Sequence, residues 1–241
     1  VDVLNDIDRL FQQAKAADEF EFCCTILRVR GFEVPGWDPL QESIYLINQI
    51  MGLIDSQIQD SLKTRLILLL YCHVTEMNDL YNIIGNLVRI ASHNDRYSMM
   101  LFPRSIYPRE KIAEIQQWAN GTPFGRLAIE LESMLVKQVR NAFFHSDYAL
   151  TPQSFNLRNN QFVEINGIRQ QSVPLEWLQT KVNTAINITR HVIDKTIESI
   201  RSYKESKIVK GRFGPNDSWM DLQLTVNPNW GLTGFKSPPG V

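Results

Sequence analysis

The sequence predicts a mainly α protein: an antiparallel helical bundle with a small β-hairpin inserted before its last long helix and a loop- and strand-rich C-terminal tail. Three observations lead there. Apolar residues recur at helical spacing over most of the first 145 positions. From about 151 to 173 they give way to short alternating runs between turn residues. Helical spacing then resumes at Leu175 and runs to about Tyr203. With 44% hydrophobic and 21% charged residues in 241 positions, the chain has the apolar material for a sizeable core.

Each element has its own signal. Val3, Leu4, Ile7, Leu10, Phe11 and Ala14 mark a first helix, and Gly31, Pro35 and Gly36 punctuate the stretch before the next one. Asp38-Pro39 supplies an N-cap and a first-turn proline for a helix whose apolar face is Ile44, Leu46, Ile47, Ile50, Met51 and Ile54. One longer helix is predicted over 61–91, carrying Leu66, Leu69, Leu70, His73, Val74, Met77, Leu80 and Ile84. Pro103 and Pro108 mark a loop before a short helix over 110–118, closed by Gly121. A further single helix is predicted over 124–145. The runs 154–158 and 162–165, around Asn159-Asn160, predict a hairpin, and Asn166-Gly167 a second tight turn leading to a third strand over 168–173. The last long helix has its apolar positions at Leu178, Val182, Ile186, Ile188, Val192, Ile193, Ile197 and Ile200, and alternating Met220, Leu222, Leu224 and Val226 predict one or two strands in the tail. The domain reading is a bundle over 1–206 with the β insertion at about 151–173, and an extension over 207–241 packed on the same domain.

Bulk properties exclude several classes. A net charge of -1 does not suit a protein that coats nucleic acid, so any RNA contact must come from a local patch or pocket. Cys23, Cys24 and Cys72 are odd in number and lack metal-ligand spacing, which predicts buried thiols in a reducing compartment. The longest apolar run, 66–72, is too short to span a bilayer, and no secretory signal pattern is seen. The expected location is the cytoplasm, with no membrane partner. Gly121-Thr122-Pro123-Phe124-Gly125 lacks the lysine of a phosphate loop, no nucleophile elbow is present, and no cofactor or metal is expected.

The candidate site lies near the end of the 124–145 helix. Stepping 100° per residue from Arg140 puts Leu135, Val136, Val139, Ala142 and Phe143 on a core arc of about 200–320°. Arg140, Lys137, Gln138, Asn141 and His145 fall between about 0 and 160°, with Phe144 among them near 40°. An arginine presents a fixed fork of donors to a phosphate, and a histidine moves a proton near neutral pH. Fifteen arginines and four histidines would produce this spacing by chance in roughly one such sequence in four. Asn141 is placed to orient His145 or bind phosphate, and Asp147 and Tyr148 follow at the helix end. An aromatic amid polar groups on this face predicts a covered surface, and a two-fold axis there would bring two arginines and two histidines together.

On Arg140-Asn141-x-x-x-His145, near the end of a late bundle helix, the chain resembles the HEPN superfamily of helical nucleotide-binding domains. The likeness spans roughly 38–204, and its specific part is the R-N-x-x-x-H motif. It implies a homodimeric, metal-independent endoribonuclease acting on RNA, of a kind found among toxins and phage-defence effectors, with a partner antitoxin or regulatory protein. The catalytic roles fall on Arg140 and His145, and on Asn141 beside them. One toxin branch has a modified tyrosine two residues after the histidine; here Ser146 and Asp147 precede Tyr148. Noncatalytic relatives that bind nucleotide, RNA or a protein form the alternative.

Two other features bear on function. His73 and Glu76 sit at i, i+3, a spacing able to ligate metal, but no second such pair exists. His73 is read as a core histidine, and Glu76 as a buried polar partner or a group supporting the RNA site. The segment 201–213 holds five basic residues, one acid and two aromatics. It reads equally as a guide for an RNA backbone, with Tyr203 or Phe213 stacking on bases, or as a solvated helix end. Trp118, Trp177, Trp219 and Trp230 are expected to serve packing.

Overall fold

The computed structural model describes residues 3–30, 38–212 and 217–237. Among them are nine helices: α1 (Val3–Ala17), α2 (Glu19–Leu27), α3 (Pro39–Ile54), α4 (Asp60–Glu76), α5 (Asn78–His93), α6 (Pro108–Ala119), α7 (Gly125–Met134), α8 (Lys137–Phe144) and α9 (Leu175–Ser202). The strands are β1 (Tyr148–Leu150), β2 (Ser154–Leu157), β3 (Val163–Ile165), β4 (Ile168–Gln170), β5 (Ser172–Pro174), β6 (Ile208–Gly211), β7 (Met220–Asn227) and β8 (Gly231–Lys236). The protein is mainly α, with small antiparallel sheets. No helix among the described residues is long and apolar enough to cross a membrane.

The chain divides into two compact units, each made of separate segments. Unit 1 combines Val1–Trp37, Asn78–Ile129 and Arg190–Val241. There α1 packs on α5, α5 on α6, and α2 on β6. Ile7, Leu10, Ala14, Phe20, Ile84, Leu87 and Ile115 are fully or almost fully buried. The sheet runs β6-β7-β8, all antiparallel, so three strands occupy the tail where one or two were expected. Its inner face meets α2 closely: Phe20 stacks edge-on against Phe235 at 5.1 Å, and a Cβ on Gly211 would lie 2.6 Å from the Phe20 ring. Only a residue without a side chain lets β6 approach that ring. Two buried carboxylates each join two arginines in this unit. Asp6 meets Arg9 and Arg126, and Glu21 meets Arg30 and Arg96.

Unit 2 combines Asp38–Met77 and Glu130–Thr189. Asp38 caps α3 as expected, its Oδ1 accepting from Leu40 N at 3.1 Å and Gln41 N at 3.2 Å. On α3, Ile47, Ile50 and Ile54 are buried, whereas Leu46 of the expected apolar face is exposed.

Three sequence expectations need correction. The run 61–91 is two helices, because Met77 takes an extended conformation and buries its side chain while Asn78-Asp79 restarts the helix as a favourable first turn. The run 124–145 is likewise two. Leu135 and Val136 leave the helix, and the buried Tyr71 hydroxyl serves both sides of the break: it donates to the Met134 carbonyl and accepts from Val136 N, each at 2.8 Å. The runs 154–158 and 162–165 do not pair with each other. β2 lies between β1 and β5, and β3 pairs with β4 across Asn166-Gly167, both at positive φ as a tight hairpin turn demands. Asn159 and Asn160 are both left-handed, which turns the chain away from β2 before β3 begins. The strand expected over 168–173 is accordingly β4 and β5, interrupted at Gln171.

Candidate functional site

The motif helix α8 lies in unit 2 beside α4 and β2. Val136, Val139 and Ala142 are buried as the wheel requires, while Phe143 is half-buried. Phe143 stacks on Tyr148 at 5.5 Å, and Tyr148 on Phe155 at 4.7 Å and 10° between planes. That aromatic column ties the end of α8 to β1 and β2. It also gives Tyr148 a packing role.

Helix α8 ends in a Schellman motif. His145 is the C-cap, Ser146 follows in the left-handed region at φ 57°, Asp147 N donates to Ala142 O at 2.8 Å, and Ser146 N to Phe143 O at 3.3 Å. His145 therefore sits at a fixed stop. Its ring is exposed and makes no hydrogen bond or ion pair among the described residues. A serine in this conformation carries a steric cost that glycine avoids. Ser146→Gly is accordingly expected to raise stability by about 1 kcal/mol. Urea unfolding tests this, and a drop in midpoint would contradict the assigned geometry.

Arg140 stands one turn before the cap, 15% exposed. Its fork is held on two sides. Nη1 donates to Glu76 Oε1 at the end of α4, and Nε and Nη2 both donate to Asn141 Oδ1, at 3.1 and 2.7 Å. One N–H on each terminal nitrogen remains for another acceptor. Glu76 and Asn141 thus fix the plane of the guanidinium and leave two of its N–H groups without an acceptor among the described residues. Lys137 is exposed at the start of the same helix. Asp147 contributes its backbone: its N–H closes the cap, and its carbonyl accepts from Arg158 N at 3.1 Å. Phe144, next to His145, is 53% exposed.

The structure brings together Arg140, Asn141 and Glu76, places His145 at the end of the same helix, and assigns Tyr148 and the Asp147 backbone to support. Of the other sequence candidates, His73 is half-buried; its Nε2 is sequestered without a partner, and burial lowers the ring's pKa. No group of three or more potential metal ligands occurs among the described residues. The three cysteines are buried and free, and burial pushes Cys23 and Cys72 up to about 12, which makes them poor nucleophiles.

In the basic segment the tyrosine is a correction. Tyr203 is only 5% exposed, accepts from Cys23 Sγ at 3.3 Å and donates to Glu19 at 2.8 Å, so it is no base platform. Phe213 lies outside the described residues. Trp219 and Trp230 correct the packing expectation, being 55% and 68% exposed, while Trp118 and Trp177 are half-buried. No family model, curated protein or solved structure matches the chain.

Proposed function

We propose that the protein is a metal-independent endoribonuclease of the HEPN type, acting as a homodimer, with a role as a toxin or defence effector. The observation that carries this is Arg140: a guanidinium fixed by Glu76 and Asn141 with two N–H groups still open, on the same short helix as a partner-free, exposed His145. Phe144 beside them gives a second copy an apolar contact. In the two-chain site, one His145 takes the proton of the ribose 2′-OH, whose oxygen attacks the adjacent phosphorus. The other His145 protonates the departing 5′-oxygen. The two arginines hold the phosphate oxygens as charge accumulates. The products are a 2′,3′-cyclic phosphate and a 5′-OH, and DNA lacks the nucleophile.

One observation favours a second reading, a noncatalytic module that binds nucleotide, RNA or a protein: the Arg140 charge is already matched by the Glu76 carboxylate. The two readings separate on cleavage of single-stranded RNA in EDTA. His145→Ala and Arg140→Ala are each expected to lower the rate by about 10²-fold or more. Wild-type products should end in a cyclic phosphate. Cleavage that survives both substitutions, or none by wild type, sinks the enzymatic reading.

A further inference from the structure

The outer face of the β6-β7-β8 sheet in unit 1 has a composition unlike the rest of the chain. It carries Lys210, Arg212 and Lys236 against Asp221, although the whole chain is at -1. Strand alternation sorts these residues. Val209, Gly211, Leu222, Leu224 and Phe235 point inward and are buried. The antiparallel register pairs Lys210 with Asp221 and Ile208 with Gln223, which pairs on its other side with Lys236. Extending that register by one outward step sets Arg212 across from Trp219, and the Arg212 guanidinium carbon indeed lies 5.1 Å from the Trp219 ring centroid.

The outward row therefore begins at an exposed tryptophan backed by an arginine and continues through Lys210 to Ile208 and Lys236. Lys210 is 70% exposed, and its partner Asp221, at 2.7 Å, is half-exposed, so that pair opens at little cost. Successive outward residues on a strand are about 7 Å apart. Lys210 stands one such step from Arg212 and the indole it backs, and Lys236 lies two strands away across Gln223; exposed cations beside an indole face are the equipment of a single-strand platform, where cations follow the backbone while an unstacked base lies on the ring. Duplex nucleic acid keeps its bases stacked and would gain only from the charges. The tryptophan thus decides for a single strand.

We infer that this face binds single-stranded RNA, with Trp219, backed by Arg212, as the base platform and Lys210 and Lys236 as backbone contacts. It extends the proposed activity by a second RNA-binding surface, but it does not depend on cleavage. The test uses a 2′-O-methylated RNA oligonucleotide, which has no free nucleophile, followed by fluorescence anisotropy. Wild type should bind it, more weakly as salt rises. Trp219→Ala should weaken binding about 5-fold or more while Trp219→Phe retains most of it. Lys210→Gln with Lys236→Gln should flatten the salt dependence by about 1.4 units of slope. All three positions are exposed, and unchanged thermal unfolding would confirm that the variants are folded. Failure of wild type to bind, equal binding by every variant, or equal affinity for a duplex overturns the assignment. Binding lost in Trp219→Ala with no cleavage by wild type would leave this face standing and remove the catalytic reading. His145-dependent cleavage with variants that bind normally would do the reverse.

Discussion

Glu21→Leu is expected to lower the unfolding free energy by roughly 3–5 kcal/mol. The carboxylate is 1% exposed and meets three partners: Arg30, Arg96 with Nε at 3.5 Å, and the Tyr97 backbone N–H at 2.8 Å. Burial raises the Glu21 pKa, and Arg30 and the Tyr97 N–H pull it back. Removing the acid takes a buried carboxylate away from two largely buried guanidiniums that cannot give up their charge. Removing one arginine is milder, because a carboxyl with a raised pKa can take up a proton instead. Arg30→Leu should therefore cost less than Glu21→Leu, although it loses the 2.8 Å bond to the Arg212 carbonyl as well. Urea unfolding of both variants checks the order. A Glu21→Leu protein within 1 kcal/mol of wild type, or the reverse order, would show that the cluster does not bear on stability as described.

Much of the helical structure follows from local pattern, and Glu21 shows where pattern stops. The periodicity of α1 gives its buried face directly, and Asp38-Pro39 gives the start of α3, because both signals act within one helical turn. Glu21 sits among Phe20, Phe22, Cys23 and Cys24, and no nearby residue announces that a carboxylate there is buried. Its cations come from Arg30 and from Arg96, brought in by chain folding. Strands 154–157 and 163–165 were legible by alternation, but their partners were not, since local composition does not distinguish β5 from β3 as the neighbour of β2. The exposure of Trp219 and Trp230 escaped for a related reason. Large aromatic residues are usually packed, and only the sheet register shows that Trp219 falls on the outward row.

At the candidate site, the arginine, asparagine and histidine were readable as a motif, and of the wheel's core arc Val136, Val139 and Ala142 are buried, while Leu135 and Phe143 are only half-buried. Glu76 as the anchor of Arg140 was legible only as one option, because it lies 64 positions upstream. The sharp end of α8 was visible only in part. Ser146 is not the glycine that usually marks such a stop, and its left-handed conformation is forced by the backbone bonds around it. The break before α8 was invisible, because no glycine or proline interrupts 126–145. Its cause is a hydroxyl 63 positions from the carbonyl it serves.

That hydroxyl supports the second large prediction. Tyr71→Phe is expected to cost roughly 2–4 kcal/mol, because it orphans two buried backbone groups at once. Tyr71 and Met134 are fully buried and Val136 nearly so, which leaves no path for water to replace the lost bonds. Burial raises the phenol's pKa, so the group stays protonated and able to donate while it accepts from Val136 N. Without it the cheapest repair is for α7 and α8 to join as one helix. Val136 N would then bond to the Glu132 carbonyl, and the Met134 carbonyl would accept from Gln138 N. Joining the helices removes the two-residue offset that sets the rotation of α8, and Arg140 turns away from Glu76. The variant should therefore lose RNA cleavage well below its unfolding temperature, by more than its stability loss explains. Glu76→Gln keeps the break intact and serves as the comparison: it should loosen Arg140 with little change in unfolding midpoint, since the Glu76–Arg140 pair is partly exposed. A Tyr71→Phe protein with wild-type stability and wild-type cleavage would mean that the break is held by packing alone and that the hydroxyl does not position the site.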